Sequence, residues 1–186
     1  MNKHFIDAGA NTGQTLDWLA RRSYFHRWHV WCIEPSPRHF AELEKHAAEF
    51  AERYRITLCP FGLGAFSGVG KFFEKSDPLG DSFEEDSWTD HEQHNLAKSC
   101  RLLCGVVGIA DFLRQIPDPE ELVLKLDVEG AEYDILPALL KSPELRKVTE
   151  ILVEFHNVGR RVAMDSEQLI RAFEERGISI DMWSCR

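Results

Sequence analysis

Two hydrophobic periods alternate along this chain. Short apolar runs recur at about 4–8, 30–34, 55–61, 102–107, 122–126, 150–155 and 178–183. Each has the length and β-branched or aromatic content of a buried strand. Between them the spacing lengthens to that of a helix. Leu16, Leu19 and Ala20 share one side of a helix predicted over about Thr12–Arg22. Ser36 ahead of Pro37 is a helix start, a capping hydroxyl followed by proline at the first helical position. Phe40, Leu43, Ala47 and Phe50 then follow as the buried stripe of that second helix. A short helix is predicted over Ala110–Gln115. A longer one runs to about Leu140 with Ile135, Leu136, Leu139 and Leu140 facing inward. Pro137 inside it predicts a kink or a late start. Asp165 with Gln168 resembles a capping box for a last helix that carries Leu169, Ile170 and Phe173 and stops at Gly177.

Two stretches break this rhythm. Gly62, Gly64, Gly68 and Gly70 predict a hairpin whose second arm is Lys71–Glu74. The segment from about Ser76 to Ala97 is acidic, and predicts a long loop or loosely helical insertion. Such a segment is either a solvated excursion or a lid over a site. Strands alternating with helices predict one α/β domain with a mostly parallel sheet covered on both faces. Ligands in such sheets bind beyond the carboxyl ends of the strands, at the switch point. Gly9–Gly13, Glu34, Asp127 and His156 all fall at such ends.

Composition adds boundaries. A chain of 186 residues, 44% hydrophobic and 28% charged, can build one sizeable core. No apolar run approaches the roughly 18 residues of a membrane span. Met1-Asn2-Lys3-His4 leads straight into a strand, so no signal peptide is expected. Among five cysteines, Cys32 and Cys59 lie inside apolar strands, and Cys100 and Cys104 are too isolated for a zinc quartet. Reduced thiols in a cytoplasmic protein are the expectation. A net charge of −9 argues against nucleic acid and suits a small-molecule substrate.

The chemistry concentrates in three motifs. Phe5-Ile6-Asp7-Ala8-Gly9-Ala10-Asn11-Thr12-Gly13 reads as strand, glycine turn and helix start. The glycines let the backbone approach a ligand, and a helix N-terminus favours a carboxylate. A pyrophosphate typically calls for three glycines, and Asn11 stands where the middle one would be. The turn therefore suits an adenosine cofactor without pyrophosphate, such as S-adenosylmethionine. Glu34 lies 21 positions after Gly13, the usual place of a ribose-binding acid. Asp127 ends a buried strand, with Glu129 and Glu132 close behind. Asp127 and its neighbours orient a substrate, act as general base or bind a metal. No second ligand set is evident, so no metal is assigned. Lys125 is a candidate partner for a carboxylate, and Glu132 for the helix dipole. His156 shares strand parity with Glu154 and is the natural base near neutral pH. Arg160 and Arg161 beyond it form a solvated turn or an anion contact.

FIDAGANTG, IEPSP, LKLDVEGAEYDIL and ILVEFH, with VGIADFL ahead of the third piece, together resemble the FkbM family of S-adenosylmethionine-dependent methyltransferases. The resemblance spans nearly the whole chain. It implies a Rossmann-like class I methyltransferase fold and O-methylation of a hydroxyl on a sugar or small metabolite. It also implies that Asp7, Gly9, Asn11 and Gly13 line the cofactor, that Glu34 holds the ribose, and that Asp127 and Glu129 face the reaction. The segments that commonly precede the first strand and follow the last are short or absent, so an uncovered sheet edge is expected to permit a homodimer. Two other functions remain open. The Glu34 spacing also suits a nicotinamide-dependent oxidoreductase, against which the missing middle glycine counts. A methyltransferase fold acting only as a binding module is the other.

Overall fold

The structure is a computed structural model that describes residues 2–74, 100–156 and 163–183. The acidic segment, Arg160 and Arg161 lie outside the described residues.

Among the described residues, nine strands and five α-helices follow the predicted alternation. Six parallel strands form the main sheet: β1 (Lys3–Ala8), β2 (His29–Ile33), β3 (Arg55–Cys59), β7 (Glu121–Leu126), β8 (Glu150–Val153) and β9 (Ser179–Met182). Their order is β3-β2-β1-β7-β8-β9. The direction of winding reverses between β1 and β7, which makes that gap the switch point. The remaining strands, β4 (Gly62–Gly64), β5 (Gly68–Glu74) and β6 (Cys100–Gly108), form a second sheet. Here the glycine-punctuated stretch departs from the expected hairpin. β4 and β5 do not pair with each other; β6 lies between them, parallel to β4 and antiparallel to β5. The intervening turn sends the chain across a strand that arrives much later in sequence, and no local periodicity encodes that.

The main sheet divides the core by strand parity. Ile6, Ala8, Leu122, Leu124, Leu126, Ile151 and Val153 pack on one face with α3 (Ile109–Gln115), α4 (Glu132–Leu140) and α5 (Ala163–Glu174). Phe5, Val30, Cys32, Val123 and Leu152 pack on the other with α1 (Gln14–Ala20) and α2 (Pro37–Ala48). Period-two alternation within strands buried on both faces explains why each run reads as continuously apolar.

Local chemistry sets the helix ends. The Ser36 hydroxyl accepts from the His39 amide, and Pro37 occupies the first turn of α2, as expected. α1 starts later than predicted because Gly13, in the left-handed region at φ 102°, still belongs to the turn. α4 also starts late, at Glu132, with Pro137 inside it. Lys147 is buried, and its ammonium donates to the carbonyls of Leu113 and Ile116 at the end of α3. α5 begins at Ala163, two residues before Asp165, so the start of the helix departs from the expected capping box.

At the opposite end of the sheet from the switch-point turns, His4 and His29 are cross-strand neighbours. His29 stacks on Trp31 with ring centroids 4.1 Å apart, and its Nε2 lies 2.8 Å from the Thr57 hydroxyl. Trp31 Nε1 donates to His4 Nδ1, so that ring carries its proton on Nε2, facing Asn2. Burial, followed by the charges of Arg55 and His4, pushes the His29 imidazole down to about 4. Burial lowers His4 as well. His29 therefore folds in its neutral form. The stability it contributes is present above the unfolded histidine value near 6.5 and is lost as pH falls through about 4. Equilibrium urea unfolding across that window should show a loss of about 1–2 kcal/mol in the wild type. The loss should be shallower in His29→Gln. Identical slopes in the two chains would remove His29 as the source.

Candidate active site

The site grows out of the end of β1. Gly9 follows β1 at φ 78°, and its amide and that of Ala10 donate to the Ile33 carbonyl at the end of β2. A Cβ on Gly9 would sit 1.7 Å from the Asp127 carbonyl oxygen. The glycine is therefore required twice, by its backbone conformation and by the closeness of the neighbouring turn. Asn11 adopts φ 48°, which asparagine tolerates better than most residues. Its amide donates to Glu34 Oε2 at 2.8 Å, and the Ser36 amide donates to Glu34 Oε1 at 2.7 Å. Glu34, 4% exposed, thus ties the glycine turn to the start of α2.

Across the switch point, Lys125 and Asp127 extend from β7 on the same side as Asp7. Asp7 and Lys125 are directly opposite in the parallel ladder. The Lys125 ammonium lies 2.9 Å from Asp7 Oδ1 and 3.3 Å from Asp127 Oδ2, and donates to the Gly9 carbonyl at 3.0 Å. Its approach to Asp7 is off the line of a hydrogen bond. The contact is an ion pair, and both Asp7 oxygens lack a hydrogen-bond donor among the described residues.

The third part is the turn after β7 and the end of β8. Glu129 sits at φ 52° and Gly130 at φ 109°, which folds the chain tightly into α4. Glu132 is fully buried. Its carboxylate accepts from the Gly130 amide at 2.9 Å and from the His156 amide at 2.6 Å. It also lies 3.3 Å from His156 Nδ1. This leaves His156 Nε2 facing Asp127 at 3.7 Å and Glu129 at 3.6 Å. Burial disfavours the charged ring and is the largest single influence on it. The hydrogen bond that the ring donates to Glu132 and the charges of Glu129, Glu132 and Asp127 together outweigh burial and raise the imidazole to about 9. At neutral pH His156 is thus an imidazolium held among carboxylates. The sequence offered no second ligand set for a metal. The fold does bring Asp127, Glu129 and His156 together, with one ligand atom from each within 4.8 Å of the others. The His156 imidazolium supplies a positive charge among these carboxylates.

These parts enclose a cavity of about 290 Å³. Gly9, Asn11 and Glu34 line it from the turns after β1 and β2, and Asp127, Glu129 and His156 from the turns after β7 and β8. Asp7 and Gly13 are not in its wall. Asp7 is fully buried behind Lys125, and the space beside Gly13 is filled by the His46 ring of α2. His39, Leu63 and Phe72 also line the cavity, and the motifs do not include them. His39 had a signal, since a polar residue sits in line with the buried Leu43 and Ala47 of α2. Leu63 and Phe72 had none, because they arrive from the second sheet. Glu154 shares the cavity wall with His156, as strand parity suggested.

A family model for the methyltransferase FkbM domain matches residues 7–180. The chain belongs to the FkbM methyltransferase family. That family uses S-adenosylmethionine as its methyl donor. The crystal structure of methyltransferase FkbM from Methylobacillus flagellatus KT is similar over 98% of this chain, at 17% identity and a TM-score of 0.49. The chain spans 32% of that protein's length. No curated protein matches. The six-stranded α/β arrangement is that of a Rossmann-like methyltransferase. Among the described residues, no helix of this FkbM domain is long and apolar enough to cross a membrane.

Two outcomes test this geometry. In an NMR titration the His156 ring should change protonation near 9 and move down in Glu132→Gln. A wild-type midpoint near 6.5 would contradict the carboxylate cage. Gly9→Ala should lower stability by about 2–4 kcal/mol in chemical denaturation, through backbone strain and collision with the Asp127 carbonyl.

Proposed function

We propose that this FkbM domain is an S-adenosylmethionine-dependent O-methyltransferase whose acceptor is a hydroxyl on a sugar or small metabolite. The observation that carries the reading is the lining of one cavity. The Glu34 carboxylate, of the kind that accepts from ribose hydroxyls, and a proton-handling group, Asp127 with Glu129 and His156, line the same space. The residues suit the cofactor. Glu34 would accept from ribose hydroxyls, the turn at Gly9–Asn11 would let backbone approach, and the carboxylates of Asp127 and Glu129 would favour a cationic sulfonium. The bound cofactor supplies an activated methyl group.

The chain's own part is to hold the acceptor hydroxyl in line and receive its proton. Most of the rate advantage of such a site comes from alignment. Asp127 Oδ1 is the proposed proton acceptor. His156, already protonated below about 9, is the donor that keeps the carboxylates and the acceptor oxygen in place. The dehydrogenase alternative is weakened by the same turn. The Asn11 amide is engaged by Glu34 instead of standing free for a pyrophosphate. The net charge of −9 keeps nucleic acid out of this proposal, and free Cys32, Cys59 and Cys104 are consistent with a cytoplasmic setting.

Calorimetric titration with S-adenosylmethionine, S-adenosylhomocysteine and NAD in parallel tests the reading. Micromolar binding of both sulfur compounds and none of NAD is expected. Binding of NAD alone would favour the oxidoreductase, and binding of none would favour a partner module. Once an acceptor is in hand, Asp127→Asn should abolish turnover with S-adenosylhomocysteine affinity largely kept. Unchanged turnover would exclude Asp127 as the proton acceptor.

A further inference from the structure

Lys125 is the most unusual residue in the core. It is 1% exposed and lies in the middle of the main sheet. Its cross-strand neighbours are Asp7 on β1 and Leu152 on β8. The Trp183 ring covers it, with the ammonium 5.6 Å from the ring centroid. Cys32 stands beyond Asp7 on β2. An ion pair in such surroundings contributes little net stability, because the attraction is offset by desolvation. An apolar pair of similar volume would fill this space at least as well. The reason for a charge lies in what the ammonium reaches at the cavity end of the strand.

There it touches the two halves of the site at once. It donates to the Gly9 carbonyl in the cofactor turn at 3.0 Å and lies 3.3 Å from the Asp127 carboxylate at the reaction end. These groups belong to turns separated by more than a hundred residues, and they meet only because β1 and β7 are adjacent. Asp7, 2.9 Å from the ammonium, is fully buried and absent from the cavity wall.

We propose that Lys125 is a positioning residue that clamps the cofactor turn to Asp127, with Asp7 as its buried counter-charge and not a cofactor ligand. The inference rests on the reading of this cavity as the S-adenosylmethionine site. Asp7 also keeps the clamp electrically balanced. Without it, the ammonium would place excess positive charge on a site that must accept a sulfonium.

The test is S-adenosylhomocysteine affinity, by calorimetry, for the wild type and for the double variant Asp7→Asn/Lys125→Met. Removing both charges together avoids a lone buried ion, so cooperative folding is expected. The clamp predicts that the folded double variant binds about tenfold or more weakly, the worth of a lost charge-assisted hydrogen bond. Affinity within about twofold of wild type would mean that the pair is structural only, and would overturn the clamp. If the double variant does not fold, the wild type supplies the answer. The Lys125 ammonium, observed by ¹⁵N NMR, should shift on saturation with S-adenosylhomocysteine, and an unmoved resonance would overturn the clamp. A wild type that binds no S-adenosylhomocysteine would remove the methyltransferase reading and the clamp with it. Equal binding by both chains would remove the clamp alone.

Discussion

The site depends on how closely the turn after β1 approaches the turn after β7. Parallel pairing sets the two strands side by side with Asp7 opposite Lys125 and Ala8 opposite Leu126. Beyond the last pair, the Asp127 amide still donates to the Ala8 carbonyl, so the ladder continues one step into the loops. The chains then diverge around Gly9, where there is no room for a Cβ. This is the switch point of the sheet, where helices leave to opposite faces and a crevice opens. A larger residue at position 9 would push the β7 turn away and carry Asp127 with it.

Charge is arranged around that crevice in two linked groups. Lys125 is shared between Asp7 and Asp127. His156 is shared between Asp127, Glu129 and Glu132. Asp127 belongs to both. It therefore faces a cation on each side, which keeps a carboxylate oriented at the reaction end without burying it alone. Glu132 does a second task in the same place. By accepting from the amides of Gly130 and His156 it satisfies backbone donors at the start of α4 and the end of β8. One buried carboxylate thus anchors both the helix and the histidine.

The second sheet gives the cavity its other wall. β4 and β5 flank β6 and bring Leu63 and Phe72 to the space left between the glycine turn and α2. The Ser36 hydroxyl that caps α2 also donates to Glu74 at the end of β5. The cap of one helix and the end of that sheet are thereby joined beside Glu34. An apolar wall opposite a carboxylate is a useful arrangement for a ligand with an aromatic ring and hydroxyls.

Much of this was legible in the residues themselves, because it follows from local rules. Strands buried on both faces must be apolar throughout, so β1, β2, β7 and β8 read clearly. The Ser36-Pro37 start of α2 and the turn at Gly9–Gly13 are short-range chemistry, as is the placement of Glu34, Asp127 and His156 at strand ends. Other features depend on contacts between distant segments. A pattern cannot tell that β6 separates β4 from β5, or that Phe72 reaches the cavity. It marked Asp7 as a cofactor contact but could not tell that the strand register sets Asp7 opposite Lys125. It made His156 a base poised at neutral pH, but three carboxylates gathered by the fold raise it to about 9. Periodicity and turn chemistry act over a few residues and are written in the chain. Electrostatic environment is a sum over neighbours that only packing brings together, and the tertiary structure alone decided it.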